Sequence, residues 1–288
     1  MQLKLNIKWF VLVLGICLCC LLGVTYAGAD TESKIMKFVR FKAGDVEAYG
    51  LVENDKVRRL SGDLFSEWQK TDQTYPLADI QILVPTQPQK VLALAGNYRD
   101  HLGDKPVPEI PEPFFKLPSS LQRHLGPVRQ PKDHEAVHYE AELVLVIGKR
   151  ARKVSESEAM KYVLGVTCGN DISARHWQRN DVQWWRAKGS DTFGPCGPYI
   201  VTGLDVNQLN MELRVNGEVK QKTNTRNLIF NVARIVSFIS QSVTLEPGDL
   251  IFTGTPGKTQ PMQIGDKVEV EIEGIGILEN HLVADDSR

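Results

Sequence analysis

The chain has 288 residues, of which 42% are hydrophobic and 24% charged, a composition typical of globular proteins that excludes a disordered or collagen-like chain. The 34 Lys and Arg residues nearly balance the 35 Asp and Glu residues, so the sequence lacks the basic excess expected of a nucleic-acid-binding protein. Five cysteines are too few for a disulfide scaffold.

The N-terminal segment has the pattern of a secretory signal peptide. Lys4 and Lys8 precede an apolar stretch over residues 9–24, and Ala27-Gly28-Ala29 supplies the small residues of a cleavage site. The apolar stretch is shorter than the ~20 residues that span a membrane, which favours cleavage over an uncleaved anchor. We therefore expect removal of residues 1–29 and an exported protein, periplasmic or secreted, with no membrane contact after cleavage. An uncleaved segment would leave the protein membrane-anchored.

Residues 30–88 are predicted to form a small N-terminal domain rich in β-strands. Short apolar runs at 36–41, 48–52 and 57–60 alternate with polar residues and are separated by turn residues, which predicts a meander of strands. A helical patch is predicted over 64–69. The proline-punctuated stretch 84–88 is typical of a linker, and it sets the domain boundary.

Residues 89–284 are predicted to form a second, larger domain that is also dominated by strands. Asn216-Gly217 between two alternating runs predicts a hairpin. The proline-rich stretch 106–113 is predicted to be an irregular loop that acts as a lid. Without regular alternation of strands and helices, the fold class is α+β and predominantly β. Strands are predicted at 91–95, 140–147, 162–168, 198–202, 211–215, 250–253 and 268–272, and helices after 155, at 173–178 and at 232–242.

Two glutamates at the start of an apolar strand are candidate metal ligands. Glu140 and Glu142 lie two residues apart, so their side chains leave the same face of a strand. They run into the apolar residues 143–147, where both faces are buried and unpaired carboxylates would be unfavourable. Glu269 and Glu271 have the same spacing, but clean alternation there predicts a half-exposed strand with a solvated acidic face.

A third acid, Asp171, follows the predicted strand at 162–168. It is either a further ligand or the N-cap of the helix at 173–178. Oxygen ligands of this kind suit Mg²⁺, Mn²⁺ or Ca²⁺. His138 shares a face with the two glutamates, so zinc is an alternative that the ligand set favours less.

Four further residues are candidates for catalysis or substrate binding. His101 and Asp104 lie three residues apart, on one face of a helix, and a His with a carboxylate partner can activate water. The alternative is an ordinary surface contact between them. Lys188 precedes a turn rich in Gly and Pro, although a lone Lys is usually solvated. Thr255 lies in a tight turn after a strand, where hydroxyl and amide groups could bind a carboxylate.

Six motifs in sequence order resemble the fumarylacetoacetate hydrolase family, and their order and spacing match over residues 89–284. Together they are far more specific than any single motif. They are Gly96-Asn97-Tyr98-Arg99-Asp100-His101, Phe115-Lys116, Tyr139-Glu140-Ala141-Glu142, Asn170-Asp171-Ile172-Ser173-Ala174-Arg175, Lys188-Gly189-Ser190-Asp191-Thr192-Phe193-Gly194-Pro195 and Thr253-Gly254-Thr255-Pro256.

The resemblance implies a catalytic domain with a mixed β-roll, a homodimer, and a divalent ion, Mg²⁺ or else Mn²⁺ or Ca²⁺, held by Glu140, Glu142 and Asp171. It also implies catalytic roles for His101, Asp104 and Lys188. The residues expected to contact a small oxo-acid substrate are Tyr98, Arg99, Lys116, Arg175, Gln178 and Thr255.

The resemblance further implies a metal-dependent hydrolase that cleaves a C–C bond in a β-diketo or 2-oxo acid, such as an acylpyruvate, through an enolate stabilised by the ion. Asp104 would orient His101 to activate water, and Lys188 would stabilise the developing oxygen charge. Family hydrolases typically carry Glu where this chain has Asp104, and the shorter acid favours the alternatives. These are an oxaloacetate decarboxylase or tautomerase, a hydroxydienoate isomerase, and a catalytically weak protein that binds oxo acids.

Overall fold

The computed structural model describes residues 35–132 and 136–285, whose strands form two mixed sheets. The predicted class, α+β with a predominance of strands, is confirmed. Twelve strands of the described residues form a large sheet and five form a small sheet.

The large sheet contains β1 (Met36–Ala43), β2 (Val46–Glu53), β3 (Lys56–Gly62), β4 (Trp68–Pro76), β5 (Gln81–Ile82), β6 (Val91–Ala95), β7 (Glu112–Lys116), β8 (Leu121–Gln122), β10 (Ala141–Ile147), β11 (Val163–Asn170), β12 (Gly194–Thr202) and β15 (Leu250–Phe252). The small sheet contains β9 (Pro127–Gln130), β13 (Asn210–Val215), β14 (Glu218–Asn224), β16 (Lys267–Ile272) and β17 (Gly276–Ala284). The α-helices of the described residues are α1 (Arg99–Leu102), α2 (Arg175–Asn180), α3 (Trp185–Gly189) and α4 (Val232–Ser242), and 3₁₀ turns occupy Leu77–Asp79, Pro118–Ser120, Glu156–Tyr162 and Thr225–Asn227.

The N-terminal strands continue the large sheet, whose main path runs β4-β3-β2-β1-β12-β11-β10-β15-β6-β7. β1 joins β12 in antiparallel register, with Phe38 opposite Ile200. The strands before and after the predicted domain boundary at residue 88 therefore belong to one sheet. The division into residues 30–88 and 89–284 stays a prediction.

Two local predictions are confirmed by the backbone. Asn216 and Gly217 both have positive φ, 51° and 83°, which is the geometry of a type I′ turn, and they connect β13 to β14. The predicted helix at 232–242 is α4. Its apolar residues recur at helical spacing and are buried, and the Asn231 side chain accepts a hydrogen bond from the Arg234 amide at its N-terminus.

The helix predicted over 64–69 is wrong. Asp63 accepts a hydrogen bond from the Phe65 amide at 2.9 Å, and its own amide donates to the Glu67 carbonyl at 2.9 Å. These bonds close a turn instead of a helix, because an Asp side chain competes for the backbone donors that a helix needs. Strand β4 begins directly afterwards at Trp68. The loop predicted to extend to Pro113 is also wrong at its end, since that residue lies in β7, at the edge of the sheet.

The predicted signal segment, residues 1–29, lies outside the described residues. Within residues 35–132 and 136–285, no helix combines the length and the apolar character needed to cross a membrane. Cys168 and Cys196 are buried free thiols on neighbouring strands.

Four adjacent strands direct their connecting segments to one edge of the large sheet. β10 begins at this edge, and its antiparallel neighbours β11 and β15 both end there, since Ala141 lies opposite Asn170 and Val144 opposite Phe252. β6 is parallel to β15 and ends at the same edge. The fold therefore places the segments around residues 97–101, 140–142, 170–171 and 254–256 side by side.

Candidate metal centre and active site

Three buried acids converge where β10 begins and its neighbour β11 ends. Oxygen atoms of Glu140, Glu142 and Asp171 lie within 4.8 Å of one another, and each residue is at most 3% exposed. The backbone locks the cluster, because the Asn170 side chain accepts a hydrogen bond from the Glu140 amide at 2.8 Å and the Asp171 amide donates to the Glu140 carbonyl at 2.9 Å. The predicted set of three ligands is therefore brought together by the fold.

Two glycines permit the close approach of these strands. A Cβ on Gly169 would lie 2.3 Å from a methyl group of Val144, so only glycine lets β11 pack here against β10. Gly254 has a φ of +102°, which L-residues with side chains rarely adopt. This conformation accompanies a hydrogen bond at 2.7 Å from the Gly254 amide to the Glu142 carboxylate. Local backbone requirements thus build the acidic cluster.

Three cationic side chains contact the acidic cluster. Lys188 bridges two acids, with its Nζ 2.6 Å from Glu140 Oε2 and 2.8 Å from Asp171 Oδ2. The buried Lys116 donates to Asp171 Oδ1 at 2.7 Å and to the carbonyls of Lys188 and Phe193. Arg175 contacts the other oxygen of Glu140. The three carboxylates and the three cationic side chains therefore have a net formal charge of zero.

The charges are not evenly distributed over the cluster. Burial opposes ionisation of Glu140, but the positive charges of Lys188 and Arg175 outweigh it and hold the pKa at about 2. Glu142 has no ion pair with a side chain of the described residues. Burial, followed by the charges of Asp171 and Glu140, raises the pKa of Glu142 well above its usual value. Glu142 is therefore the carboxylate that lacks a cationic partner.

The cluster fits a divalent cation on its own chemistry. Its oxygen donors are those that Mg²⁺, Mn²⁺ and Ca²⁺ prefer, and a cation would supply the partner that Glu142 lacks. The zinc alternative has no support, since the His138 ring lies outside the cluster and its Nδ1 is 3.1 Å from the Thr259 hydroxyl. The alternative role of Asp171 as a helix N-cap is wrong, because Ala174 occupies that position before α2. The residues present can hold a divalent metal ion.

His101 has a fixed ring orientation that prepares it as a base. Its Nδ1 lies 2.6 Å from the Gly257 carbonyl, which can only accept, so Nδ1 carries the proton. The other nitrogen, Nε2, is then the unprotonated atom of the neutral ring. No hydrogen bond joins His101 to the exposed Asp104 within the described part of the chain. The catalytic pairing of the two residues stays a prediction that this geometry does not support.

A cavity of about 650 Å³ lies over the acidic cluster. Its lining is mixed, and Arg175 holds Gln178 there through a hydrogen bond of 2.6 Å. Polar and apolar lining residues adjoin one another, since the Lys188 Nζ lies 5.5 Å from the centre of the Phe114 ring. The polar lining residues are His101, Lys105, Glu112, Glu140, Arg175, Gln178, Arg179, Lys188 and Thr255, and the others are Leu94, Ala95, Gly96, Leu102, Pro106, Pro108, Phe114 and Trp184.

The other predicted substrate contacts do not line this cavity. Lys116 is buried beneath Asp171, where all three of its ammonium hydrogens have acceptors. Tyr98 is buried, and its hydroxyl group has no hydrogen-bond partner among the described residues. Arg99 is exposed on α1. Direct contacts of these three residues with substrate stay predictions.

The sequence analysis missed residues that support the cavity. The segment 254–259, which we call the turn segment, contacts Glu142 through Gly254, His101 through Gly257, and Arg175 through the Thr259 hydroxyl at 2.7 Å. The buried Gln221 bonds to Thr255 and Pro256 of the same segment. No local pattern marks Gln221, since the polar neighbours Lys220 and Lys222 make its strand resemble an exposed one.

The chain belongs to the fumarylacetoacetate hydrolase family, because residues 90–283 match the family described as "Fumarylacetoacetate (FAA) hydrolase C-terminal". The predicted resemblance is thereby confirmed. Residues 36–85 match a second family, described as "Rv2993c-like, N-terminal". Members of the hydrolase family include isomerases, hydrolases and tautomerases.

Two relatives and one solved structure, two of them named for an activity, are similar to this chain over most of its length. Protein Rv2993c of Mycobacterium tuberculosis is 44% identical over 86% of this chain and 98% of its own length. The mitochondrial oxaloacetate tautomerase FAHD2A of Bos taurus is 39% identical over 72% of this chain and 71% of its own length. The crystal structure of 2-hydroxyhepta-2,4-diene-1,7-dioate isomerase from Mycobacterium marinum has a TM-score of 0.82 and 39% identity, covering 88% of this chain and all of that chain.

The predicted export of the protein is wrong. The relatives are fumarylacetoacetate hydrolase domain proteins of cytosolic or mitochondrial type, among them the bovine enzyme that is named mitochondrial. An apolar N-terminal stretch with two lysines is a weak signal, because length and apolar content alone do not specify a destination.

Proposed function

We propose that this protein is a divalent-metal-dependent tautomerase of 2-oxo acids, which interconverts their keto and enol forms. The observation that carries the proposal is the environment of His101. His101 lines a cavity that Glu140 of the acidic cluster also lines, and the partner of its Nδ1 is a backbone carbonyl instead of a carboxylate. Tautomerisation needs one base and a means of stabilising an enolate, and it needs no activated water.

Glu140, Glu142 and Asp171 would hold the ion, for which we propose Mg²⁺. A divalent cation at this place supplies electrostatic stabilisation of the negative oxygen of an enolate. It would add two positive charges to a cluster whose three acids and three cations already balance. A 2-oxo dicarboxylate such as oxaloacetate carries two negative charges, which would neutralise the two positive charges of the ion.

His101 moves the proton between carbon and the protein. In the direction from keto to enol, Nε2 takes a proton from C3 of the substrate, and the electrons of that C–H bond form the C2–C3 double bond. The electron pair of the C2 carbonyl moves onto its oxygen, and the proton taken up by Nε2 passes to that oxygen, which returns the ring to its starting form. Nδ1 keeps its own proton throughout, because the Gly257 carbonyl at 2.6 Å binds it.

Lys188 is the proposed hydrogen-bond donor to the substrate oxygen. Burial works against its positive charge, but the charges of Asp171 and Glu140 outweigh burial and raise the pKa of Lys188 above its usual value. It therefore stays protonated and can donate a hydrogen bond to an enolate oxygen. Arg175 and Thr255, which line the cavity, are placed to bind substrate oxygen atoms.

Two facts favour tautomerisation over the hydrolysis expected from the sequence. Asp104 is exposed and not bonded to His101, so the group expected to help activate water is not in place. The bovine relative is named an oxaloacetate tautomerase and the mycobacterial neighbour an isomerase. The homodimer suggested by the resemblance stays a prediction.

The test is ketonisation of the enol form of oxaloacetate by the purified full chain, with Mg²⁺ and with a chelator. We expect turnover only with Mg²⁺ and a loss of roughly 10²- to 10⁴-fold in His101→Asn, the usual contribution of a general base. The matched control is His281→Asn, which alters an exposed imidazole on β17 beside Glu279 and keeps full activity. Release of pyruvate from acetylpyruvate without ketonisation of oxaloacetate would show a hydrolase instead.

A further inference from the structure

The side chain of Gln221 has a fixed orientation beneath the cavity. It lies on β14, only 4% exposed, and its Oε1 accepts a hydrogen bond from the Ala141 amide at 2.9 Å. Its Nε2 donates to the Thr255 hydroxyl at 3.0 Å and to the Pro256 carbonyl at 2.6 Å. The opposite orientation of the amide would place an NH₂ group against the Ala141 N–H and an oxygen against the Pro256 carbonyl. The surrounding backbone therefore excludes the flipped amide.

This orientation dictates what Thr255 can offer to a ligand. Since Gln221 Nε2 can only donate, the Thr255 oxygen accepts in that bond and its own proton must point elsewhere. Within residues 35–132 and 136–285, no protein acceptor takes that proton. Thr255 is itself part of the cavity wall. The hydroxyl group is thus a hydrogen-bond donor available to a molecule in the cavity.

We propose that Gln221 is a positioning residue that fixes Thr255 as a donor to the carboxylate of the substrate. The proposal rests on the proposed function, because it takes the ligand to be a 2-oxo acid. Gln221 also bonds to the backbone between the two metal-binding glutamates through Ala141. One buried amide therefore sets both the polarity of Thr255 and its distance from the metal centre.

The sharpest variant is Gln221→Glu, which keeps the size of the side chain and its acceptor for the Ala141 amide. A carboxylate cannot donate to Thr255, so the Thr255 hydroxyl would donate to Glu and turn its lone pairs toward the cavity. In the wild type, the Thr255 hydroxyl faces a negatively charged ligand as a hydrogen-bond donor. In Gln221→Glu, the same hydroxyl would face the ligand as an acceptor. The loss of a hydrogen bond to a charged group lowers affinity by about ten- to a hundredfold.

The probe is oxalate, which resembles the planar enolate of a 2-oxo acid, titrated calorimetrically into the full chain with saturating Mg²⁺. We expect Gln221→Glu to weaken oxalate binding by about ten- to a hundredfold while Mg²⁺ affinity without oxalate changes less than about threefold. Gln221→Met leaves Thr255 free to rotate and serves as a second, uncharged variant with a smaller loss. Asn224→Asp makes the same amide-to-acid change on the same strand, away from the cavity, and leaves oxalate binding unchanged.

A double variant separates positioning from general damage. In a Thr255→Val background, Gln221→Glu should change oxalate affinity less than about twofold, because the donor is already absent. An undiminished effect in that background, or no effect of Gln221→Glu and Gln221→Met on oxalate affinity, overturns the positioning role. Oxalate binding without ketonisation of oxaloacetate overturns the proposed function alone, and failure of the wild type to bind oxalate overturns both.

Discussion

Glu140 and Glu142 share their spacing with Glu269 and Glu271, yet the two pairs differ in burial and in partners. The first pair is at most 3% exposed, and Glu140 contacts Lys188 and Arg175 while Glu142 lies beside it without an ion pair among the described residues. In the second pair, the side chains of Glu269 and Glu271 are 13% and 48% exposed, and both carboxylates contact Arg214 on the neighbouring strand β13. The predicted alternation of this strand is confirmed, and its acidic face is solvated at Glu271 and largely covered at Glu269.

The difference comes from the position of each strand in its sheet. Every residue of β10 is buried, because other strands flank it and both of its faces are covered. In β16 only the alternate residues Val268, Val270 and Ile272 are buried. Spacing therefore places two carboxylates on one face, and burial of that face decides whether they need a cation.

The largest expected effect is on stability, at the buried side of this comparison. Lys116→Met removes the ammonium group that Asp171 and two backbone carbonyls accept from, and it leaves a buried carboxylate without that partner. Breaking one side of a buried ion pair typically costs about 3–5 kcal/mol. The measurement is the free energy of unfolding by urea in the presence of chelator. A loss below about 1 kcal/mol would mean that the buried ion pair of Lys116 contributes no more to stability than a solvent-exposed ion pair does.

The second prediction concerns the metal ion. Glu142→Gln retains an oxygen for the Gly254 amide but removes a charged ligand. Loss of a residue that only hydrogen-bonds to a metal ligand lowers affinity about 10–100-fold. Loss of the ligand itself should therefore lower Mn²⁺ affinity at least about a hundredfold. Saturation of the wild type at about 100 times Kd adds about 2.7 kcal/mol of stability, or roughly 5–10 °C in Tm.

Glu271→Gln is the control for this prediction, since it makes the same change in the solvated pair. Thermal denaturation with Mn²⁺ and with chelator should show the full shift in this control and the wild type, and at most about 1–2 °C in Glu142→Gln. An equal shift in all three proteins would contradict the assignment of the ligands.

The smallest effect is expected on the solvated face. Arg214→Met removes contacts with Glu212, Glu269 and Glu271, but water also solvates these charges, so the loss should stay below about 1 kcal/mol. Salt should reduce the loss further, because it screens the repulsion among the remaining acids. Urea unfolding at low and high salt measures both. A loss as large as that of Lys116→Met would remove the distinction between the two faces.

The acidic cluster could be predicted from sequence because its signal is local. Glu140 and Glu142 run into an apolar stretch that predicts burial on both faces, and Asp171 follows a strand. The hairpin at Asn216 and helix α4 were predictable for the same reason, since turn chemistry and apolar spacing are properties of neighbouring residues.

The remaining parts depend on contacts between distant residues. The partner of His101 is a backbone carbonyl 156 positions away, whereas the pattern suggested Asp104 three positions away. Gln221 lies among charged residues, and only the sheet shows that its side chain points under the cavity. The helix prediction over 64–69 was wrong because the hydrogen bond from the Phe65 amide to the Asp63 side chain stabilises a turn, and the helical spacing of apolar residues there is weak.

The turn segment has a consequence for how such a cavity can diversify. Since residues 254–259 contact Glu142, His101 and Arg175, one shift of this backbone changes the positions of all three together. Pro106, Phe114 and Trp184 also line the cavity, and they make no hydrogen bond to that segment in the described chain. New substrate preferences can therefore arise by single substitutions at these apolar residues, while the groups joined by the turn segment are inherited as one unit.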